Sequence, residues 1–553
     1  MEKVWLKSYP AWVKPEVNTQ EYSSLLNLLL TSCENYKDCP AYECFGVKIT
    51  YGQWQKQAEA FAAYLQHALG MVKGEKIALM MPNLLQYPIA LMGAFMAGLV
   101  VVNVNPLYTA RELRHQLKDS EATAIVIVEN FAHVLKEVYS ETKLKHIIVT
   151  KMGDCLGFLK GSIVNLVVKH VKKMVPNWEI PGAIFFKTSL SIGADLPHKK
   201  IDLDLKDIAF LQYTGGTTGV AKGAILTHGN MVANVCQAKA WIGHDVSLGK
   251  EVIITALPLY HIFSLTANCL TFACMGGLNV LITNPRDMPG FVKMLKKIDF
   301  TVITGVNTLF NGMLNNPDFK KLNFKNLKFT LGGGTAVQSS VATKWHEVTG
   351  VPLLEAYGLT ETSPAVCINP LTLKKYNGSI GLPISNTNIK LLDENNNEVS
   401  FGEPGELCVY GPQVTIGYWQ QPEETKKVFT ADGGLRTGDI ATIDEQGFVK
   451  IVDRKKDMIL VSGFNVYPTE IEEVVASHKG VLEVAAVGVP SENAGEMVKI
   501  FVVKKDLTLT AEELLEYCRK NLTPYKVPKV VEFRNELPKT NVGKILRRML
   551  KEE

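Results

Sequence analysis

The sequence has no CxxC pair among its ten cysteines, and no histidine stands at a zinc-like spacing from Cys33, Cys39 and Cys44. Scattered thiols of this kind fit a reducing, cytoplasmic setting better than a disulfide scaffold. A surplus of one charge is lacking too: 59 Lys and Arg against 55 Asp and Glu leave only +4. That is too little to argue for a nucleic-acid partner. Internal repeats, low-complexity tracts, a Walker A ending and a secretory h-region behind Met1-Glu-Lys-Val-Trp-Leu-Lys-Ser8 are all missing. The longest charge-free stretch, the 34 residues Ile77 to Ala110, is broken by Pro82, Asn83, Gln86, Pro88, Asn103, Asn105 and Pro106. It therefore reads as a buried helix over Leu84–Ala97, a stop at Gly98 and a buried strand over Leu99–Val104, not as a membrane span.

What remains is a globular chain of 553 residues, 46% apolar and 21% charged, long enough for roughly three to five packing units. Short apolar, β-branched runs alternate with helical patterns through the first two thirds: Lys76–Met81, Leu99–Val104, Ala124–Val128, His146–Thr150, Val252–Leu257, Val280–Thr283 and Val302–Thr304. Such runs predict βαβ units and parallel sheets covered on both faces. From about Gly378 the turn clusters Asp393-Glu-Asn-Asn-Asn397 and Gly402-Glu-Pro-Gly405 predict antiparallel strands. The last hundred residues mix short strands (Val484–Val489, Lys499–Val503, Val530–Phe533) with helices (Pro468–Ser477, Ala511–Asn521), as a separate small α+β domain would. Ser162–Val175 carries an apolar stripe of Val164, Val167, Val168, Val171, Met174 and Val175, with Lys169, Lys172 and Lys173 on other faces. Two readings stay open for it: a helix on an anionic membrane surface, or a surface helix packed on its own core.

Four motifs carry chemistry. Tyr213-Thr-Gly-Gly-Thr-Thr-Gly-Val-Ala-Lys-Gly223 follows the apolar run Ile208–Leu211. Gly215, Gly216 and Gly219 allow a tight turn whose N–H groups face an anion; Thr214, Thr217 and Thr218 add hydroxyls and Lys222 a point charge. Gly332-Gly-Gly-Thr335 precedes Tyr357-Gly-Leu-Thr-Glu-Thr-Ser363: triple glycine admits a flat ring, Tyr357 is able to stack on it, and Glu361 is an oxygen ligand suited to Mg²⁺. Asp439, in Arg436-Thr-Gly-Asp439, is placed to accept from a ribose diol. Asp453-Arg-Lys-Lys-Asp457 and Gly463 follow, and Leu537-Pro-Lys-Thr-Asn-Val-Gly-Lys-Ile-Leu-Arg-Arg548 closes the series.

In this order the motifs resemble the adenylate-forming superfamily of acyl-CoA synthetases, firefly-type luciferases and peptide-synthetase adenylation domains, over essentially the whole chain. Leu435 through Glu472 resembles the fatty-acyl-CoA synthetase signature. With Leu85-Gln-Tyr-Pro88, Asn103-Val-Asn-Pro-Leu-Tyr108 and Ile303-Thr-Gly-Val-Asn-Thr-Leu-Phe310, it closely resembles the bacterial long-chain fatty-acid–CoA ligases. The resemblance implies an α/β fold. Its large N-terminal domain (1–455) would hold two α/β subdomains and a distorted antiparallel β-barrel, hinged to a small mobile α+β C-terminal domain (456–553). It also implies a two-step reaction in which ATP activates a fatty acid to acyl-adenylate and CoA then displaces AMP, with Mg²⁺ as cofactor.

By resemblance, Thr214, Gly215, Gly216, Thr217, Thr218, Gly219 and Lys222 hold the β- and γ-phosphates. Thr214 and Glu361 bind the metal. The Gly332, Gly333, Gly334 and Thr335 backbone and Tyr357 sandwich adenine, Gly358 and Thr360 also belong to the ATP site, and Asp439 and Arg454 hold the ribose. Lys544 with Glu361, Thr218 and His261 (in Leu257-Pro-Leu-Tyr-His-Ile-Phe263) is catalytic. Lys456 is the hinge and Gly463 lines the CoA tunnel. The resemblance also implies a cytoplasmic enzyme with room for peripheral membrane contact and for a homodimer, and no nucleic acid. Two departures stand out: Gly434 occupies the position of the family's usual aromatic, which predicts a looser turn, and Ala356 stands where many members have glycine. Competing readings are a non-catalytic fatty-acid binding protein at the membrane surface and a luciferase-like oxygenase, although no Ser-Lys-Leu ending is present. A peptide-synthetase module would require a carrier domain after the small one.

Overall fold

The computed structural model describes residues 3–214, 221–461, 464–491, 495–540 and 543–551. Two sheets form the large lobe. In the first, seven strands run in the order Ile184–Phe185, His146–Thr150, Ala124–Val128, Lys76–Met80, Val100–Asn103, Ile208–Tyr213, Gly223–Thr227; all neighbours are parallel except the last pair. The β-branched residues of His146–Thr150, Ala124–Val128, Lys76–Met80 and Val100–Asn103 are buried on both faces, as covered parallel strands require. The charge-free helix is Gln86–Met96, buried along its whole length.

The second sheet has nine strands, with Leu353–Gly358, Phe329–Gly333, Val302–Gly305, Val252–Thr255 and Leu278–Leu281 as its parallel centre. The strand expected at Val280–Thr283 begins two residues earlier, because Gly276 and Gly277 end the preceding helical turn and Leu278 pairs at once with Val252. After these come four antiparallel strands, Asn388–Leu392, Gly405–Tyr410, Leu435–Ile443 and Val449–Arg454. Among the described residues no pairing joins the first of these four strands to the last; the last strand instead bridges from Val449 to Gly381, beside the nine-stranded sheet.

The turn at Gly434 is not loose. A Cβ there would come within 2.3 Å of the Tyr410 ring, so the neighbouring strand supplies an aromatic where the motif lacks its own. Thr430 N–H donates to the Gly434 carbonyl at 2.8 Å, and the Gly434 N–H donates to Thr430 Oγ1 at 2.7 Å. The Tyr410 hydroxyl donates to Asp432 at 2.8 Å, which closes the turn.

The small lobe is a five-stranded sheet: Phe464–Val466, Ile459–Val461, Gly495–Lys504 and Val481–Ser491, with Val530–Arg534 pairing on Gly495–Lys504. Helices Pro468–Ala476 and Ala511–Asn521 pack beside it. Among the described residues no helix is long and apolar enough to cross a membrane. The segment expected to be helical over Ser162–Val175 is a helix from Phe158 to Leu166 that continues as a π-turn to Val171. Its inner face is tied down by the close approach of Gly161 to Gly153 and by Asn165 Oδ1, which accepts from Gly153 N–H at 2.7 Å. Its outer face leaves Phe158, Leu159, Ile163, Leu166, Val171 and Met174 each at least half exposed.

Candidate active site

The site lies where the two sheets of the large lobe, the four-stranded sheet and the small lobe converge. Its floor is the end of the strand Phe329–Gly333, where parallel register sets Gly333 beside Ala356. A Cβ on Gly333 would sit 3.0 Å from the Ala356 carbonyl and 3.1 Å from the Phe263 ring, so only glycine fits without displacement. Gly334 follows in the left-handed region (φ +77°), with Thr335 beside it at the mouth. One strand along, Gly358 packs so tightly on Pro364 that a Cβ would overlap its carbonyl at 1.9 Å. The chain can then reverse into the 3₁₀ turn Thr360–Thr362, which presents Glu361.

Antiparallel register pairs Asp439 with Arg454, which explains why two motifs fifteen residues apart act at one place. Arg454 Nε lies 3.2 Å from Asp439 Oδ1, and the Tyr357 hydroxyl donates to Asp439 Oδ2 at 2.5 Å. Burial pushes the Asp439 carboxyl above its ordinary range; the Arg454 charge and the Tyr357 hydroxyl pull it back. Burial pushes the Tyr357 phenol well up, so it remains a donor at neutral pH.

The expected phosphate loop begins at Thr214, whose N–H donates to the Lys222 carbonyl at 3.0 Å. Gly215, Gly216, Thr217, Thr218 and Gly219 lie outside the described residues, as does Gly463. Lys222 ion-pairs with Glu424 and lies 5.4 Å from the centre of the Tyr418 ring. Tyr418 donates its hydroxyl to Glu361 Oε1 at 2.7 Å, and Thr415 N–H donates to the Glu361 carbonyl at 2.7 Å. Neither Tyr418 nor Thr415 is singled out by the sequence motifs. Among the described residues no group of three His, Cys, Asp or Glu side chains is gathered as a metal cluster would be.

His261 ends a loop held by a buried polar network. Asn83 Nδ2 donates to the carbonyls of Thr255 and Leu257 at 2.9 Å each, and Leu259 N–H donates to Asn83 Oδ1 at 2.8 Å. The Tyr87 hydroxyl lies 2.7 Å from Asn103 Oδ1 and 3.0 Å from the Leu259 carbonyl, while Asn103 Nδ2 donates to Gln212. Gln212 Nε2 donates to the Tyr260 carbonyl at 2.8 Å. The short sequences around Tyr87 and Asn103, recognisable as motifs but without evident chemistry, are therefore the struts of the His261 loop. Satisfied networks of this kind fix a single geometry. His261 Nδ1 accepts from Phe263 N–H at 3.3 Å, and burial followed by the Lys544 charge pushes its pKa down to about 3. The imidazole is neutral and its remaining proton sits on Nε2.

Lys544 arrives from the small lobe. Thr540 N–H donates to the Lys544 carbonyl at 2.7 Å, and Lys544 N–H donates to Thr540 Oγ1 at 3.0 Å, folding the chain into a tight turn. The Gly543 carbonyl accepts from Thr308 Oγ1 at 3.2 Å, and Asn311 Nδ2 donates to the Leu482 carbonyl at 3.2 Å; both bonds join the lobes. The Lys544 stem crosses Gly334, its Cε 3.6 Å from where a Cβ of Gly334 would stand. Burial and then the Arg454 charge push the amine down to about 8, against the pull of Asp439 and Glu361. Lys456 lies exposed in the turn between Val449–Arg454 and Ile459–Val461, the last strand of the large lobe and the first of the small one to pair there.

The cleft thus joins a glycine floor, two carboxylates, a guanidinium, a neutral imidazole and an amine brought from another lobe. Residues 29–419 match the family model described as "AMP-binding enzyme", and residues 470–544 match "AMP-binding enzyme C-terminal domain". The chain belongs to the AMP-binding enzyme family. A long-chain-fatty-acid–CoA ligase of Yersinia pestis is 59% identical over 553 residues, spanning all of this chain and 98% of that protein. The one of Escherichia coli O157:H7 is 58% identical over the same spans. Among solved structures, a benzoate CoA ligase from Burkholderia xenovorans LB400 superposes with a TM-score of 0.82 at 25% identity, covering 96% of this chain and 100% of that one. The carboxyl-terminal match ends at Lys544.

Proposed function

We propose that this chain is a long-chain fatty-acid–CoA ligase, forming acyl-CoA, AMP and pyrophosphate from a fatty acid, ATP and CoA. The full-length likeness to ligases of that name supports the substrate class. The observation that carries the two-step chemistry is Lys544, delivered from the small lobe over Gly334 toward Asp439, Arg454 and Glu361.

In the first step a fatty carboxylate oxygen attacks the α-phosphorus, and the bond to the bridging oxygen breaks to release pyrophosphate. Two anions must meet: unit charges 4 Å apart repel by about 4 kcal/mol at an effective dielectric of 20, so positive charge is the main requirement. Lys544 meets it by bridging carboxylate and α-phosphate. Lys222, Thr214 and the 215–219 segment take the β- and γ-phosphates. Asp439 and Arg454 take the ribose, while the Gly332–Thr335 backbone, Tyr357, Gly358 and Thr360 enclose adenine. Neutral His261 offers its Nε2–H to the wall near the reacting carboxylate. Glu361 and the Thr214 hydroxyl are an oxygen-only donor set of the kind Mg²⁺ accepts alongside phosphates and water. Mg²⁺ there supplies charge neutralisation of the phosphates.

In the second step the CoA thiolate attacks the acyl carbonyl and AMP leaves. A single site serves both steps if the chain divides into a large domain, 1–455, and a small one, 456–553, that turns about Lys456 and brings the Gly463 segment to the tunnel. The decisive assay incubates the purified chain with palmitate, ATP and Mg²⁺, with and without CoA. Palmitoyl-CoA and AMP are expected with CoA, and enzyme-bound acyl-adenylate without it. A binding protein yields neither, and an oxygenase yields no thioester.

The exposed apolar face of Phe158–Val171 supports contact with a membrane surface. It is flanked by Lys160, Lys169, Lys172 and Lys173, and no acid occurs between Asp154 and Glu179. Cosedimentation with anionic vesicles is expected, and is expected to weaken at least several-fold in a Phe158→Ser/Leu159→Ser variant with unchanged turnover. Dimerisation through the same face would instead appear as a doubled mass in sedimentation.

A further inference from the structure

Arg547 stands three residues after Lys544 and meets three carboxylates. Its Nη2 lies 2.6 Å from Glu472 Oε2 and its Nε 2.9 Å from Glu472 Oε1. Its Nη1 reaches Asp453 Oδ1 at 3.3 Å and Asp457 Oδ2 at 3.4 Å. Asp453 has a side chain only 1% exposed, so its charge has almost no water to solvate it. Its other oxygen accepts the Thr469 N–H at 2.8 Å. Glu472 is in turn fixed to the small-lobe sheet, accepting from Ala486 N–H at 2.9 Å.

The placement of these groups along the chain is informative. Asp453 belongs to the strand Val449–Arg454, on the large-lobe side of Lys456, whereas Asp457, Thr469, Glu472 and Arg547 lie beyond it. Rotation about Lys456 would carry Thr469, Glu472 and Arg547 together as one body and leave Asp453 behind. The bonds of Arg547 to Glu472 survive such a turn; those that Asp453 receives from Arg547 and Thr469 do not. A buried carboxylate stripped of its cation is costly, so this contact favours one lobe orientation over the other.

We propose that Arg547 is a positioning residue: by bridging Asp453 across the hinge to Glu472, it latches the small lobe in the orientation that delivers Lys544. This rests on the two-step reading above. The latch touches no expected substrate atom and acts through the population of the adenylation orientation.

The test measures the half-reactions separately in Asp453→Asn, Arg547→Gln and the double variant. In each, the maximal rate of pyrophosphate release at saturating ATP and palmitate is expected to fall roughly tenfold or more. The KM for ATP should stay within about twofold, and thioester formation from presynthesised palmitoyl-adenylate and CoA should be undiminished. The double variant should be no slower than the slower single one, because both break the same bridge. Equal losses in both half-reactions, a rise in KM at unchanged maximal rate, or multiplying losses in the double variant would overturn the latch. Should Arg547→Gln fail to fold, Asp453→Asn decides alone. A wild-type chain that released no pyrophosphate would sink the ligase reading itself, an outcome distinct from any of these.

Discussion

Lys544→Ala is expected to lower pyrophosphate release by about 10²–10³-fold, or ~3–4 kcal/mol of transition-state stabilisation, while nearly sparing thioester formation from presynthesised acyl-adenylate. The size follows from what else is available in the cleft. Arg454 is held 3.2 Å from Asp439, and Lys222 is paired with Glu424, so neither is free to follow charge as it moves from carboxylate to phosphate. Lys544 alone among these cations comes from the other lobe, on a turn joined to the large lobe through Thr308 and Gly543. The asymmetry between half-reactions follows from the same geometry. Once the adenylate has formed, repulsion between carboxylate and phosphate is gone and the amine has no further anion to bridge. Rapid-quench measurement of both steps checks this; if they fell by the same factor, a single fixed lobe orientation would serve both.

Asp439→Asn is expected to raise the KM for ATP by roughly 10–100-fold, the worth of about 1.5–3 kcal/mol in charge-assisted hydrogen bonds. The substitution also leaves Arg454 without its ion partner next to Lys544. A second, separable effect then appears in the pH profile. With its amine near 8 in the free protein, Lys544 loses its proton as pH rises, so kcat/KM for adenylation should decline above about pH 8. Asp439 is one of two carboxylates that hold the proton on Lys544. Its removal favours the neutral amine, and the falling limb must therefore move to lower pH. A limb that stayed in place or moved upward would show that the charges of Asp439 and Lys544 are not coupled.

Much of this site is legible along the chain because its chemistry demands particular residues at short spacing. Gly333 and Gly358 are required where a Cβ would crowd backbone or ring, Gly332 where it would meet the Val337 methyl and Gly334 by its left-handed backbone, and such sites announce themselves as glycine clusters. Asp439 and Arg454 are each recognisable, and an antiparallel hairpin brings them together. The paired turns before Gly405 also mark the change from parallel to antiparallel strands, because turn chemistry is local.

Other features depend on neighbours that no local pattern names. The missing aromatic at Gly434 predicts a loose turn, whereas Tyr410 fills the gap from the adjoining strand. Tyr418 on Glu361, and Tyr87, Asn83 and Asn103 beneath the His261 loop, act through contacts more than fifty residues distant in chain order. The exposed side of the Phe158–Val171 segment is likewise decided by Gly153 and Gly161, not by its hydrophobic stripe, since Val164 and Val168 turn inward and Phe158, Leu159 and Ile163 outward.

Sequence alone determined the order of the motifs and the α/β class, because each follows from residue type and spacing; the role of a lysine near the carboxyl end came only from the resemblance to the family. Only the tertiary structure decided that Lys544 lies over Gly334, what holds His261 neutral, and which acids Arg547 joins on either side of Lys456. Those depend on burial and on charges meeting through space, and neither is a property of any stretch of chain by itself.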